Sequence, residues 1–598
     1  MKNLIHRLRN MRFFRWSKSG PLLAVLFPVV LCIFTELGQM QSLSDLLAFT
    51  WNRFSVFVFS CLLIAVVFWA VALVVRRIWI SGAVTGAVFM IISAVEYHKY
   101  VVTGSHFQFA DLYMATGFAD VSKFARLKFN PLLFLLILLT ALYVGALSLT
   151  GFRMKGSFWK RCSAAAVIAG VTVISILVPA FFAPVCQVFG IDNTMTYNSY
   201  SEDARFDNNN LITNFTVSIN QSVKSAVTEP EEYSEEAIEE ILENSIPSEE
   251  EAEQALAEQE TAVKPNIVFI MSESYADFRR IYGLENGDEI YAAFDQVCAE
   301  GTTGTSVVPT FGNGTVRTEF ELMFGLPVKS LNNVEIPHKL LKSGVEQDTF
   351  ASMYKEAGYN TTYIHPFRSN FYDRQDVYSE YGFDRLIFED DFTVEEEYFR
   401  DYISDDTAFR QAEEVMASTE GPDYIHITTM QNHQPYIDDK GEEIDNYFDG
   451  IRVSNEALRD FTNRLKESAE PTIIVFTGDH FPFFSPESSF YNEIGINVDN
   501  CSKLYEKTWL VWSNYDLDAS SLPEETISTF YLPHLVYSMV GLKNPFVDTM
   551  LEEMTAEPVY SVAVNPSTES ELLDMLTYDR TIGENYSEID GRKMNFND

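Results

Sequence analysis

Cysteine is scarce in this chain and never paired: six residues show no CxxC or other metal-type spacing, and Cys32, Cys61 and Cys162 lie in or beside apolar runs. Neither a disulfide framework nor a thiolate metal site follows. Basic residues are missing altogether between Lys224 and Lys264. The acids there have nothing local to pair with. The formal charge of −41 over 598 residues arises after about residue 190, because the first part is apolar and net basic. That distribution excludes a nucleic-acid binder and points to a membrane module followed by one large acidic domain.

Five stretches, 20–38, 54–75, 78–97, 131–149 and 162–185, are long and apolar enough to span a bilayer. Their only acids are Glu36 and Glu96, each near one end of its run. Lys2, Arg7, Arg9, Arg12, Arg15 and Lys18 precede the first run, Arg76 and Arg77 follow the second, and Arg153, Lys155, Lys160 and Arg161 separate the last two. Arg53, Lys99, Lys123, Arg126 and Lys128 fall on the opposite side. The balance predicts a cytoplasmic N-terminus, residues 1–19, and an extracellular C-terminal part. With four further runs behind it, the first is read as an anchor and not a cleaved leader. The loop 98–130 mixes aromatics with Asp111 and reads as an interfacial segment at the outer face.

Residues 188–264 read as a linker, Asn-rich at first and then acidic, whose composition predicts a solvated helix without a core. From 265 to 558 short apolar runs alternate with amphipathic segments, the pattern of an α/β domain with a largely parallel sheet. A C-terminal extension, 559–598, has no assigned chemistry. Four predicted strands end in acid or imidazole: 267–271 before Glu273, 361–364 before His365, 424–430 before His433, and 472–476 before Asp479 and His480. In parallel sheets ligands bind outside the carboxyl ends of the strands. The four endings therefore converge on one crevice.

Phe311-Gly312-Asn313-Gly314-Thr315 reads as a glycine loop that delivers Thr315, as N-cap, to a helix with apolar positions at Val316, Phe320, Met323 and Phe324. A threonine there is commonly just a cap, yet free N–H groups at a helix start also favour a phosphate beside the hydroxyl. Glu273, Asp479, His480 and the Thr315 oxygen offer three oxygens and one nitrogen to a divalent cation, a mixture suited to manganese or magnesium that does not exclude zinc. Coordination would lower the hydroxyl pKa and neutralise a phosphoryl group under attack. Arg374 reads either as a bidentate phosphate contact or as a salt bridge to a nearby acid, with Tyr372 beside a headgroup. His433 reads as proton donor to a leaving alkoxide or base for an incoming alcohol, and His365 as a further substrate contact. His338, His426 and His534 read as structural.

Taken together, Pro265-Asn266-Ile267-Val268 with Ser272-Glu273-Ser274, the Gly-x-Gly-Thr315-x-x-Thr-Glu-Phe block, Phe371-Tyr372-Asp373-Arg374, Asn432-His433-x-Pro-Tyr436 and Gly478-Asp479-His480 resemble the lipoteichoic acid synthase family. Members are membrane phosphoglycerol transferases with a sulfatase-like, alkaline-phosphatase-type outer domain. The resemblance implies one manganese ion on Glu273, Thr315, Asp479 and His480, and substrate contacts at Arg374 and His433. It also implies transfer of glycerol phosphate from phosphatidylglycerol through a covalent Thr315 intermediate to a hydroxyl of a glycolipid or envelope polymer, with release of diacylglycerol. Tyr372 stands where the synthases usually have tryptophan, and Val316-Arg317-Thr318 departs from the small and acidic residues after their nucleophile. These differences bear on the acceptor and leave the metal residues intact. A formylglycine sulfatase would need a C/S-x-P-x-R motif, which neither Cys298-Ala299-Glu300-Gly301-Thr302 nor Cys501-Ser502-Lys503 supplies. Phosphoethanolamine transfer by the same chemistry, and a non-catalytic scaffold, are the alternatives.

Overall fold

The computed structural model describes residues 19–587 apart from 104, 113–128, 195–198, 225–226, 247–263, 282–283, 285–286, 437–441, 485–488 and 499–500. The basic N-terminal stretch, Lys123, Arg126 and Lys128, the end of the acidic segment and the last residues of the tail lie outside the described residues. The chain divides into two compact units, residues 1–196 with 200–224, and 197–199 with 225–598.

The first unit is a multi-pass membrane module of five helices long and apolar enough to cross a bilayer: α1 (Ser19–Met40), α2 (Phe54–Val75), α3 (Ile78–Thr103), α4 (Pro131–Thr150) and α5 (Phe158–Leu177). The fifth stops short of its predicted end at 185. Val178 is extended (φ −89°, ψ 111°) and a separate helix begins at Pro179, because a proline disfavours the α conformation in the residue before it. Nor is the Asn-rich stretch a linker. Residues 200–224 pack within the first unit as part of α6 (Ser199–Lys224), which breaks at Asn210 (φ 58°, ψ 174°). Asn209, Asn210 and Asn214 are buried there. The spans partner Asn210, to which Gln39 donates, and several of its neighbours: Ser60 and Thr213 hydroxyls lie 2.8 Å apart, and just past the break the Ile212 N–H donates to Glu36 Oε1 at 3.4 Å. Polar residues are buried where they find partners, and here the acid of an apolar run is one of them. The loop after α3 is likewise tucked in, with His106, Phe107 and Gln108 buried and the His106 ring stacked 3.5 Å from Phe206.

The second unit is α/β. Its strands are β1 (Asn266–Ser272), β2 (Thr302–Val307), β3 (Asn360–Ile364), β4 (Arg385–Ile387), β5 (Tyr398–Phe399), β6 (Tyr402–Ile403), β7 (Asp423–Thr428), β8 (Thr472–Gly478), β9 (Glu506–Ser513) and β10 (Ile527–Ser528). Eight form one sheet in the order β10-β2-β9-β8-β1-β7-β3-β4, and β5 pairs with β6. Only β9 runs against its neighbours in the large sheet. Every residue of β1, β7 and β8 is buried, as expected for parallel strands covered on both faces. The run β8-β1-β7-β3 is wholly parallel, so the four predicted endings share one edge of the sheet.

The core of this unit extends beyond 265–558. Helix α7 (Glu235–Leu242), from the acidic segment, buries Ile238 and Leu242 in the same cluster as Leu573 and Leu576 of a helix in the C-terminal extension (Glu571–Thr581). Tyr233 adds a hydrogen bond to Asp579 at 2.8 Å. Mean composition hides this contribution: an acidic stretch with apolar residues four apart still presents one apolar face.

Candidate metal centre

The loop 311–314 enters helix α8 (Thr315–Phe324) through Gly314, whose φ is 85°. Glycine is required there, since a Cβ would sit 3.0 Å from Thr310 Oγ1 as well as in the left-handed region. Gly314, not Thr315, is the N-cap, and Thr315 is the first helical residue. This corrects the sequence reading. An N-cap hydroxyl turns back to the helix N–H groups, whereas the Thr315 hydroxyl is turned outward. Its Oγ1 lies 3.4 Å from Glu273 Oε2 and 3.4 Å from His480 Nε2. The predicted apolar face is present, and all ten residues of α8 are buried.

Glu273 follows β1, and Asp479 and His480 follow β8. Among the described residues this trio is the one acid and imidazole group with metal-ligand spacing, its ligand atoms lying within 4.8 Å of one another. Their hydrogen bonds leave one atom of each aimed inward. Asp479 Oδ1 accepts the N–H groups of Ser274 and His480, both at 2.7 Å, while the buried Oδ2 has no hydrogen-bond partner among the described residues. His480 Nδ1 is 3.0 Å from the Phe481 carbonyl, to which it donates as Nδ1–H, so Nε2 carries the lone pair. That Nε2 lies 3.1 Å from Asp479 Oδ2. Two acceptors so close and buried need a cation between them. Burial, and next the Asp479 carboxylate, push the Glu273 carboxyl well above its usual range, which is what an uncompensated cluster does to its members. Burial lowers His480, keeping it the neutral imidazole that metals bind. The donor set and its orphaned atoms fit a divalent cation. Lys507, buried on β9, donates to the Tyr275 carbonyl at 2.9 Å and lies 3.9 Å from the Phe481 ring centroid. Nothing in its sequence context, a lysine opening a strand, marks it out.

Arg374 does form a salt bridge, but a buried one and not at the surface: it is 1 % exposed, with Nη2 2.8 Å from Glu319 Oε2. Nη1 donates to the Phe371 carbonyl at 3.3 Å, and Nε has no hydrogen-bond partner among the described residues. Tyr372 and Asp373 just before it have φ of 59° and 56°, a costly turn of the kind that clusters at functional sites. The Tyr372 ring centroid is 5.3 Å from the guanidinium carbon. His365 donates through Nδ1 to the Thr428 carbonyl at 2.8 Å and leaves a buried Nε2 without a partner among the described residues. Burial lowers its pKa to about 3. His433 is half-buried, with Nδ1 2.6 Å from the Gln434 carbonyl and 3.3 Å from the Tyr402 hydroxyl. Burial takes it to about 4. Both rings are therefore neutral near pH 7, with Nε2 as an acceptor.

Of the other histidines, His534 meets the Gly325 carbonyl at 2.9 Å and His426 stacks 5.5 Å from Phe269. Glu319, Tyr363, Tyr378 and Thr428 around Arg374 receive no role from sequence reading. Glu319 carries a signal only as an acid one turn after Thr315 in a helix patterned for burial, and it shares that signal with Glu321.

Residues 265–542 match the Sulfatase family model. The chain is 26 % identical over 313 residues to a protein assigned to cyclic beta-1,2-glucan modification in Rhizobium meliloti, covering 47 % of each. It is 26 % identical over 242 residues to the lipoteichoic acid synthase of Staphylococcus saprophyticus, covering 37 % of this chain and 36 % of the other. It thus spans about half or less of the length of these relatives. Among solved structures, a phosphoglycerol transferase of Streptococcus pyogenes in complex with sn-glycerol-1-phosphate aligns with a TM-score of 0.49 and 21 % identity, over 62 % of this chain and 99 % of that one. Residues 265–542 are thus similar to the sulfatase family, and part of the chain is similar to the lipoteichoic acid synthases.

Proposed function

We propose that the chain is a metal-dependent phosphoglycerol transferase with Thr315 as nucleophile. The observation that carries this is the Thr315 hydroxyl, first residue of a helix, 3.4 Å from both Glu273 and His480. A dication on Glu273, Asp479, His480 and Thr315, manganese by preference, would lower the hydroxyl pKa and neutralise phosphoryl charge. The Thr315 Oγ1–P bond would form as the P–O bond to diacylglycerol breaks, and the proton lost by the Thr315 hydroxyl would balance the one taken up by the leaving oxygen, so that diacylglycerol departs as an alcohol. An acceptor hydroxyl on a glycolipid or envelope polymer then releases the glycerol phosphate from Thr315. The His433 tautomer favours the second of its two predicted roles, since a neutral ring with Nε2 unprotonated is a base for the incoming alcohol. The neutral His365, an acceptor at Nε2, suits a hydroxyl of the glycerol headgroup, and Arg374 and Tyr372 complete the phosphate side. The positive charges beside the first, second, fourth and fifth spans support a cytoplasmic N-terminus with the catalytic unit outside, facing the lipid donor.

The test is release of diacylglycerol from labelled phosphatidylglycerol by the full chain in detergent, with manganese or chelator. Wild type should release it only with metal and carry a glycerophosphoryl adduct on Thr315 by mass spectrometry. Thr315→Ala should lose both, a drop on the order of 10³-fold or more. Turnover of phosphatidylethanolamine in place of phosphatidylglycerol would transfer the reading to phosphoethanolamine. Inertness toward both lipids in folded, metal-loaded protein would sink it.

A further inference from the structure

The carboxylate of Glu319 lies one turn beyond Thr315 on α8, 1 % exposed, and its hydrogen bonds leave no lone pair idle. Oε1 accepts the hydroxyls of Tyr363 at 2.8 Å and Thr428 at 2.7 Å. Oε2 accepts Arg374 Nη2 at 2.8 Å and the Tyr378 hydroxyl at 2.7 Å. The donors come from three elements, β3, β7 and the short helix α9 (Arg374–Tyr378). A buried ion pair is weak evidence for stability, because apolar residues of similar volume often serve as well or better. This one joins two things that the proposed reaction must hold in register. At one end is the helix that presents Thr315, and at the other the arginine whose Nε has no hydrogen-bond partner among the described residues.

We infer that Glu319 is a positioning residue, which keys the nucleophile helix to Arg374 so that Thr315 and the phosphoryl group held by Arg374 meet in line. The inference rests on the transfer reading above. Glu319 touches neither the reacting atoms nor the metal donors, so it acts only through the geometry it sets. Its charge also offsets that of Arg374, so that a phosphate meets a fixed fork of donors and not a mobile cation. A misplacement of about 1 Å at a reacting centre costs on the order of 10²-fold in rate. That is the size of effect the clamp predicts for the chemical step.

The experiment is single-turnover formation of the Thr315 adduct by the full, manganese-loaded chain on phosphatidylglycerol, with rates referred to the folded fraction. Glu319→Gln keeps the size but presents amide hydrogens to a site made of donors. It should slow adduct formation roughly 100-fold while leaving manganese affinity within about threefold. Glu319→Asp, with the charge kept and the reach shortened, should fall between it and wild type. If Glu319→Gln does not fold, the pair Tyr378→Phe and Thr428→Val, which removes one donor from each oxygen and keeps the ion pair, should still lower kcat more than it raises KM. A folded Glu319→Gln protein, or that double variant, reacting at the wild-type single-turnover rate would overturn the clamp and leave the transfer reading standing. Wild type that forms no Thr315 adduct from any lipid would overturn both.

Discussion

Helix α8 touches two buried acidic sites that are built in opposite ways. At its first residue, Glu273 and Asp479 face a neutral imidazole, with Asp479 Oδ2 unpartnered among the described residues and Glu273 driven toward protonation by burial and by its neighbour. One turn on, Glu319 is as deeply buried, yet its carboxyl is held down to about 2: burial raises it, but the Arg374 cation and the hydroxyls of Tyr378 and Thr428 outweigh burial. The difference teaches how to read a buried carboxylate. Where the chain supplies every partner, the charge belongs to the fold; where it leaves atoms empty and like charges adjacent, it belongs to something that binds.

The comparison can be broken by experiments of decreasing effect. Glu273→Gln should abolish lipid turnover, by on the order of 10³-fold, and abolish the rise in melting temperature that manganese gives wild type. In chelator, however, its stability should equal or exceed that of wild type, because an amide replaces a carboxyl that burial and Asp479 force to hold a proton; a clear loss of metal-free stability would show that the trio is structural. Arg374→Gln should do the reverse, costing about 3–5 kcal/mol by urea denaturation with or without metal, because Glu319 is left buried and unpaired. An unchanged midpoint would mean that Glu319 takes up a proton at little cost, and that the two sites do not differ in kind.

A third experiment tests the boundary of the second unit. Leu242→Ala, in the segment whose composition reads as solvated, should cost about 2–5 kcal/mol by the same measurement. A cost near zero would return α7 to the linker. Smallest is a dependence on pH. His426 and His534 are buried neutral, with pKa values lowered by burial to about 4 and about 3. Unfolded histidines titrate near 6.5, so the unfolded chain takes up protons first as the pH falls. The stability these groups contribute is complete above about pH 6.5 and is lost on acidification toward their folded values. Urea midpoints at pH 7 and pH 5 should differ in that direction, and replacing His534 should reduce the difference.

Much of the site is legible in the chain because it is local. A strand ending in Ser272-Glu273 or Gly478-Asp479-His480 and a glycine loop ahead of a patterned helix are each written in a few consecutive residues. The parallel order β8-β1-β7-β3 then does what such sheets do and brings the endings to one edge. Thr315 is misread as a cap because the choice turns on the φ of Gly314, which residue type permits but does not dictate. The buried partner of Arg374 is missed for a different reason. It lies 55 residues earlier on another element, and nothing near Phe371-Tyr372-Asp373 reports it.

What the sequence determined by itself is everything that depends on periodicity, length and short motifs: five apolar spans, an α/β domain, the candidate metal donors and the nucleophile candidate. What only the tertiary structure decided is which polar residues are satisfied and by whom. The Asn-rich helix folds into the membrane unit because Glu36 and Ser60 meet it, and the acidic helix joins a core because Leu573 and Leu576 wait for its apolar face. Burial of a polar or charged group is favourable only with a partner, and partners distant in sequence come together only once the chain is folded.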